Sequence, residues 1–499
     1  MSKGTFLQEK FKKNKPKTVR LRFAPAPTGK MHLGNIRTAL ENFLFSRKNS
    51  GTFVLRIEDT DPARNFDPQA KDIINHLKWL GLTFDEGPYF QSERTNIYQE
   101  KLNELKKQAN PDQANPDQDN PGQKLIYRCF CTTEELEEKR QRQISLKKPP
   151  RYDRTCLKLS QEEIQKKLDA GTPFIWRFKI DHTKNISFYD IARGELTFDL
   201  ANFSDFPITR QDGSFTFIFA NVIDDWLMNI TYILRGDDHL TNTVNQVALL
   251  HAFDAPTQYY WHLPILCNKD GKKLSKRDFG FSIDDLKDDG YLPQAIVNYL
   301  GIIGGSVKDE IMTLDELVKA LPEHPSSTSH IKYDVEKLNW VNHKWIEKLT
   351  PQELAAACKP FLAKVYDLSG ISDGILEKLV SLVQSDLVIL KDVIPATKFY
   401  FEQPSIAENQ DYPEQDYPEQ DYPEADPNVL EIIKKHTDKI DNIDEFLKAV
   451  KESAREKNIA PSAALQTIRL LLIGSKKGPF LHGLLEILGK KESIKRLQI

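Results

Sequence analysis

The stretch Arg22-Phe-Ala-Pro-Ala-Pro-Thr-Gly-Lys-Met-His32-Leu-Gly34-Asn-Ile-Arg37 leaves few folds open to this chain. Val19, Leu21 and Phe23 lead into it as an apolar strand, and Pro25 and Pro27 end that strand and keep the following residues extended. Thr28 and Gly29 permit a tight reversal, after which Ile36, Leu40, Phe43 and Leu44 recur at helical spacing. Strand, stiff turn and helix together set backbone N–H groups and His32 at a helix N-terminus, a favourable place for a phosphate. No G-x-x-x-x-G-K-[ST] occurs here, so the turn is not a P-loop.

The pattern then repeats. Thr52–Ile57 reads as a second buried strand ending in Glu58, Asp59 and Asp61, and Ile73, Ile74, Leu77 and Leu80 mark the next helix. Such alternation predicts a doubly wound, Rossmann-type parallel sheet, with ligands beyond the carboxyl ends of the strands, where His32 and Glu58 would lie. The sheet pattern resumes with a strand expected over Phe215–Val222 and another at Ile233–Arg235, followed by a helix from about Thr243. Between residues 96 and 210 an α+β insertion interrupts it, and beyond residue 313 the chain reads as almost wholly helical. Thr350-Pro-Gln-Glu353 is a capping box with proline in the first turn, and Asp426-Pro427 opens another helix. Thus the expected class is a multidomain α/β protein. Its parts are an arm (1–17), a divided catalytic domain (18–95 and 211–260), the insertion, a domain over 261–349 and an all-helical region over 350–499.

Composition narrows the class further. The charged and apolar fractions, 28% and 39%, are those of a globular protein, and a net charge of −3 carries no overall nucleic-acid signal. A locally basic face would still serve RNA. No apolar run approaches the ~18 residues of a membrane span. Five cysteines in 499 residues argue against a disulfide scaffold and for a reducing compartment, so a cytoplasmic location without membrane attachment is expected. The arm carries many lysines against the single acid Glu9 and reads as a solvated, frayed terminus. Tandem Ala-Asn-Pro-Asp-Gln units (108–123) and three Gln-Asp-Tyr-Pro-Glu units (410–424) read as loop expansions, because a proline in every pentamer supports neither helix nor ladder.

Three groups of residues carry chemistry. His32-x-Gly34 is paired in sequence with Lys273-Leu-Ser-Lys276-Arg277. A donor at a helix N-terminus can meet an α-phosphate, and two lysines on a loop can follow departing β- and γ-phosphates. Cys129-x-Cys131 and Cys156 place three thiols on an insertion with little core of its own, where a structural zinc would help; cysteines in a small metal-free core are the other reading. Arg22, Glu58, Asn221 and Arg235 are polar residues at the ends of apolar runs, suited either to bind an amino acid's carboxylate and ammonium or to brace the sheet with internal ion pairs.

The order and flanks of the two signatures resemble those of class I aminoacyl-tRNA synthetases. The wording Pro-x-Pro-Thr-Gly followed by Arg-Ile-Glu58-Asp-Thr-Asp61 resembles glutamyl-tRNA synthetase of the bacterial type. Trp79-Leu-Gly-Leu, Gln91-Ser-Glu-Arg94, Asp289-Gly-Tyr-Leu-Pro293, Lys337-Leu-Asn-Trp340 and the tail Arg469–Gly474 extend the likeness over most of the chain. The resemblance implies ATP- and Mg2+-dependent formation of glutamyl-adenylate and transfer of L-glutamate to tRNA(Glu). The helical tail would read the anticodon, the insertion would grip the acceptor end, and the chain would act as a monomer. It further implies catalytic duty for His32, Gly34, Lys273 and Lys276, and ATP contacts from Thr28, His32, Gly34, Asp238 and Lys276. Glutamate contacts would come from Arg22, Glu58, Phe217, Asn221 and Arg235. Where some members of the family have a histidine as fourth zinc ligand, this chain has Lys158; the tyrosine used by others matches Tyr152, which gives Cys129, Cys131, Tyr152 and Cys156 as the set for one structural zinc.

Three positions depart from the family pattern: Ala26 in place of a serine, Phe217 in place of a tyrosine, and Gln384-Ser-Asp386-Leu387 where an anticodon-reading arginine is usual. Two alternatives therefore accompany the reading, an enzyme that also charges tRNA(Gln) and a retired paralogue that only binds tRNA.

Overall fold

The computed structural model describes residues 16–108, 125–274, 282–303, 309–322, 328–404 and 426–497. Lys276, both pentapeptide repeats and nearly all of the basic arm lie outside the described residues. The chain divides into two compact units, one running to Asp285 and including Ile296–Val335, the other made of Leu286–Ala295 and the chain from Glu336 onward.

In the first unit, strands Arg20–Phe23, Thr52–Ile57 and Glu86–Phe90 pair in parallel, with Thr52–Ile57 in the middle. A second sheet runs in the order Gly194–Asp199, Asn185–Asp190, Tyr259–Leu263, Tyr232–Gly236; its last three strands are parallel, and only Gly194–Asp199 is reversed. The two sheets join where Thr231 N–H donates to Arg20 O (2.9 Å) and Arg20 N–H donates to Thr231 Oγ1 (2.8 Å). From Arg20–Phe23 the chain crosses to Thr52–Ile57 on one side, and from Tyr232–Gly236 to Tyr259–Leu263 on the other. Connections leaving in opposite directions open a crevice at the carboxyl ends of the two central strands. Leu21, Phe53, Val54, Leu55, Ile233 and Leu234 are fully or almost fully buried, as strands covered on both faces require.

Two expectations are different. Strands Asn185–Asp190 and Gly194–Asp199, expected within the insertion over 96–210, belong instead to the sheet of Tyr259–Leu263. Residues Phe217–Leu227 form a helix rather than the strand expected over Phe215–Val222, so Asn221 reaches the crevice from a helix. An apolar run of this length does not distinguish a buried strand from a buried helix. Here every residue from Phe219 to Asp225 is buried, and the one helical cue is the i, i+3, i+4 spacing of Asn221, Asp224 and Asp225 within an otherwise apolar run.

The insertion is a three-stranded antiparallel sheet of Ile126–Cys129, Ile175–Phe178 and Phe206–Pro207, with helices Thr133–Ser145 and Gln161–Asp169. Its small core gathers Tyr127, Phe130 and Ile164 around Cys129, Cys131 and Cys156. The second unit is all-α, with seven helical segments from Pro351–Leu362 to Leu481–Leu497 among the described residues from 350 onward, the last of them broken into two helices at Gly489. Thr350 caps the first through Glu353 N–H, and Asp426 caps Pro427–Lys435 through Asn428 N–H, both as expected. No helix among the described residues is long and apolar enough to cross a membrane.

Candidate active site

The crevice at the junction of the two sheets encloses about 480 Å³. Arg22, Thr28, His32, Gly34, Glu58, Phe217, Asn221, Arg235, Asp238 and Lys273 all line it. The fold therefore assembles every described residue that the sequence assigned to ATP, glutamate or catalysis. Ala26 lines it as well, and the Phe217 ring lies 5.6 Å from the His239 ring.

His32 is the N-cap of helix Leu33–Lys48. Its Nδ1 accepts from the N–H groups of Gly34 (3.1 Å) and Asn35 (3.3 Å), while Asn35 Oδ1 accepts from His32 N–H (3.2 Å). Because Nδ1 is an acceptor, the ring proton resides on Nε2. Burial, and then the Lys273 ammonium, bring the imidazole down to about 4, so it is neutral near pH 7. Gly34 has a steric reason: a Cβ there would lie 3.0 Å from His32 Cε1 and 3.1 Å from Nδ1, tight enough to push the ring aside. Lys273 Nζ, on an exposed side chain, pairs with Asp238 Oδ2 at 2.8 Å.

Beneath these groups lies a buried charge cluster. Arg22 grips Asp225 through Nε (2.9 Å) and Nη2 (3.3 Å), and Arg56 Nη1 donates to the same Asp225 at 2.7 Å. Arg56 Nη2 donates to Glu58 at 3.1 Å, and the Asn221 amide also donates to Glu58. Asp224 accepts from Arg94 Nε (2.7 Å), Gln91 (2.9 Å) and Tyr98 (2.7 Å). Burial pushes the Glu58 carboxyl up, while Arg22 and Arg56 pull Asp225 down against its own desolvation.

Arg235 differs from the other guanidinium groups. Its Nη2 donates to Thr243 Oγ1 and Gln246 Oε1, both at 2.6 Å, and it forms no ion pair among the described residues. Nε and Nη1 are buried without a hydrogen-bond partner. Desolvation, with Arg22 adding repulsion, lowers Arg235 to about 10, which still leaves it charged at neutral pH. With every member ionised, four guanidinium groups (Arg22, Arg56, Arg94, Arg235) stand against three carboxylates (Glu58, Asp224, Asp225). Within this set Arg235 is the guanidinium with no carboxylate partner among the described residues. Because Nη2 has spent both protons, a carboxylate is met through Nη1 rather than through a fork of both terminal nitrogens.

Sequence reasoning had missed Arg56, Asp224, Asp225, Thr243 and Gln246. The signal available for the first three was a charge inside an apolar run, Thr52-Phe-Val-Leu-Arg-Ile57 and Phe217-Ile-Phe-Ala-Asn-Val-Ile-Asp-Asp225.

In the insertion, the sulfur atoms of Cys129, Cys131 and Cys156 lie within 4.8 Å of one another, with Cys131 to Cys156 at 3.6 Å. Tyr152 Oη is 3.3 Å from Cys129 Sγ and 3.6 Å from Cys131 Sγ. Sulfur atoms on a tetrahedral zinc stand about 3.8 Å apart, so the cluster fits that ion. Hydrogen bonding from Cys156 holds Cys129 well down, at about 4, and Lys139 Nζ 4.0 Å from Cys131 offsets thiolate charge.

Comparison with known proteins agrees with this geometry. The family described as "tRNA synthetases class I (E and Q), catalytic domain" matches residues 18–340, and an anticodon binding domain matches residues 353–499. The glutamate–tRNA ligase of Bacillus subtilis is 35% identical over 504 residues, covering 96% of this chain and 99% of its own. That of Clostridioides difficile is 32% identical over 503 residues, covering 96% and 98%. Among solved structures, a glutamate tRNA ligase from Elizabethkingia meningosepticum in complex with its amino acid superposes with a TM-score of 0.80 at 29% identity, covering 96% of this chain and 98% of that one.

Proposed function

The chain belongs to the class I tRNA synthetases of the glutamate and glutamine type and attaches glutamate to tRNA, and from that premise we propose how its crevice carries the reaction. One carboxylate oxygen of glutamate attacks the α-phosphorus of ATP, the bond to the bridging oxygen breaks, and pyrophosphate leaves. A hydroxyl of the tRNA's terminal adenosine then attacks the carbonyl of the mixed anhydride, giving the ester and AMP. Enzymes of this class use ATP with Mg2+, which neutralises phosphate charge.

The neutral His32 donates from Nε2 to the α-phosphate region, where charge grows in the transition state. Gly34 leaves room for that ring, and Thr28 and the helix N-terminus cradle the nucleotide. Lys273 exchanges Asp238 for the departing phosphates, with Lys276 beside it in sequence. At the other end Glu58, whose ionised form burial disfavours, is stabilised by the ammonium group of the amino acid. Asn221 orients Glu58, and Phe217 forms a wall. Arg235 receives the side-chain carboxylate.

A single observation carries this reading: the buried, unpaired Nη1 and Nε of Arg235 in a cluster with one surplus positive charge. Glutamate, with two carboxylates and one ammonium, cancels that charge; glutamine leaves it uncancelled. The reading as a retired paralogue is not favoured, since the crevice keeps His32, Gly34 and Lys273 together.

In the insertion we assign one structural zinc to Cys129, Cys131, Tyr152 and Cys156, which fastens a fold with few buried apolar residues of its own. The insertion holds the acceptor end and the helical region reads the anticodon.

ATP–pyrophosphate exchange run with and without tRNA, together with charging of tRNA(Glu) and tRNA(Gln), tests the proposal. Exchange that depends on glutamate and is not supported by glutamine is expected. Equal exchange with glutamine, or none with glutamate whether or not tRNA is present, overturns it. Charging of tRNA(Gln) selects the broader tRNA specificity.

A further inference from the structure

Arg235 is aimed by what holds its Nη2. Behind it, on the side away from the crevice, lies a polar chain buried in the sheet. Asp190 ends strand Asn185–Asp190, and His262 sits in strand Tyr259–Leu263; neither side chain is exposed at all. His262 Nδ1 lies 2.7 Å from Asp190 Oδ2, which also accepts the His262 N–H at 3.0 Å, while Oδ1 accepts the N–H groups of Ala192 and Arg193 at 2.9 Å each.

A carboxylate against Nδ1 keeps the proton on that nitrogen, since the other tautomer would set a lone pair against the carboxylate oxygen. Nε2 is then an acceptor. Thr243 Oγ1, 2.7 Å away, gives it the hydroxyl's single proton; the His239 carbonyl, the alternative acceptor, is farther at 3.2 Å. The Thr243 lone pairs are thereby turned toward Arg235 Nη2. On the other side, Gln246 Oε1 takes the second Nη2 proton, and its amide donates to Asn221 Oδ1 at 2.8 Å. Asn221 in turn donates to Glu58. Every proton in both chains has one direction, and the chains meet on Nη2.

We infer that Asp190, His262 and Thr243 are positioning residues for glutamate specificity: they fix Arg235 Nη2 so that Nη1 and Nε are the nitrogens left for the side-chain carboxylate. The inference rests on the reading of Arg235 as glutamate's partner. A guanidinium with an untethered Nη2 can rotate about its long side chain and meet carboxylates at other depths. The tether sets the distance between the cation that takes the side-chain carboxylate and Glu58, which takes the ammonium. That distance is what distinguishes glutamate from a shorter or longer dicarboxylic amino acid.

The test is Thr243→Val, which keeps the shape and deletes the hydroxyl, beside Thr243→Ser, which restores it. The expected result for Thr243→Val is a glutamate KM raised by about tenfold or more, with the ATP KM within twofold of the parent. Thr243→Ser is expected to return the glutamate KM to within about threefold. A glutamate KM left within twofold by Thr243→Val, or glutamate and ATP KM values that rise together, overturns the inference. If Thr243→Val does not fold, Thr243→Cys, of similar size but a weak acceptor, carries the same expectation. Arg235→Gln separates the two failures. If glutamate preference survives it, the reading of Arg235 fails; if preference is lost there while Thr243→Val is silent, the tether alone fails. In the Arg235→Gln background, adding Thr243→Val is expected to change the glutamate KM less than twofold.

Discussion

Arg235→Gln tests the crevice most directly, because it changes one charge and little else. In the parent, glutamine would leave the guanidinium buried with no counter-charge beyond the three carboxylates already shared among Arg22, Arg56 and Arg94. Leaving a buried charge unpaired costs about 2–5 kcal/mol, which corresponds to a preference for glutamate of roughly thirtyfold to several thousandfold. The glutamine side chain retains a group able to bond Thr243 but carries no charge, so the preference should collapse to within about tenfold, with kcat/KM for glutamate falling about 10²–10³. The measurement is charging of tRNA with each amino acid, with urea unfolding alongside. Stability separates this position from its neighbour. Arg235→Gln removes a guanidinium with no carboxylate partner and is expected to leave the unfolding midpoint unchanged or raised, whereas Arg22→Gln takes two hydrogen bonds from the buried Asp225, which keeps Arg56, and should cost about 1–3 kcal/mol. Glutamate preference that persists in Arg235→Gln refutes the reasoning, and Arg235 then only braces the sheet.

Three further outcomes follow from the geometry. Gly34→Ala sets a methyl against the His32 ring, and adenylate formation by single-turnover kinetics should slow about 10–10²-fold with the fold retained; an unchanged rate removes the steric argument for Gly34. Elemental analysis should find one zinc per chain, lost on Cys156→Ser together with protease resistance of the insertion, and a metal-free protein indifferent to chelator defeats that assignment. His32 and His239 are both lowered to about 4, so between their ordinary value near 6.5 and about 4 the unfolded chain binds more protons than the folded one. Their contribution to stability is complete above that window and is lost as pH falls through it. His32→Asn, which keeps a capping acceptor, should flatten the pH dependence of the urea midpoint, and a dependence as steep as the parent's removes His32 from it.

The sheet was readable because its strands are buried on both faces and punctuated by prolines and acids, so Arg20–Phe23 and Thr52–Ile57 stand out as apolar runs with abrupt ends. The helix at Phe217–Leu227 was not, since it is apolar on nearly every side and only Asn221, Asp224 and Asp225 mark its period. His32, Glu58 and Arg235 could be placed at one crevice because each follows or ends a strand and such ends face the crevice in this architecture. Their partners were hidden for a different reason. Arg22 meets Asp225 across 203 residues and Arg56 meets it across 169, pairings that topology creates and local spacing does not encode. The sequence left open whether Arg22 binds substrate or braces the sheet. The structure gives it a two-nitrogen grip on Asp225 while it also lines the crevice.

The charge count also bears on the two hydroxyls this chain lacks at Ala26 and Phe217. A neutral hydroxyl contributes one hydrogen bond, with a net value near 1 kcal/mol, and a carboxylate and an amide both accept it. Its loss therefore weakens glutamate and glutamine by similar amounts and leaves their ratio nearly unchanged. Charge acts differently. On the proposed reading, the zwitterion with one extra carboxylate brings the cluster to neutrality, and glutamine's amide does not replace that negative charge whatever bonds it makes. A variant that restores the hydroxyl at either position should lower KM without sharpening preference. Preference moves only when the balance of guanidinium groups and carboxylates moves, as at Arg235, or when the tether through Thr243 no longer sets the surplus charge at the depth of the side-chain carboxylate.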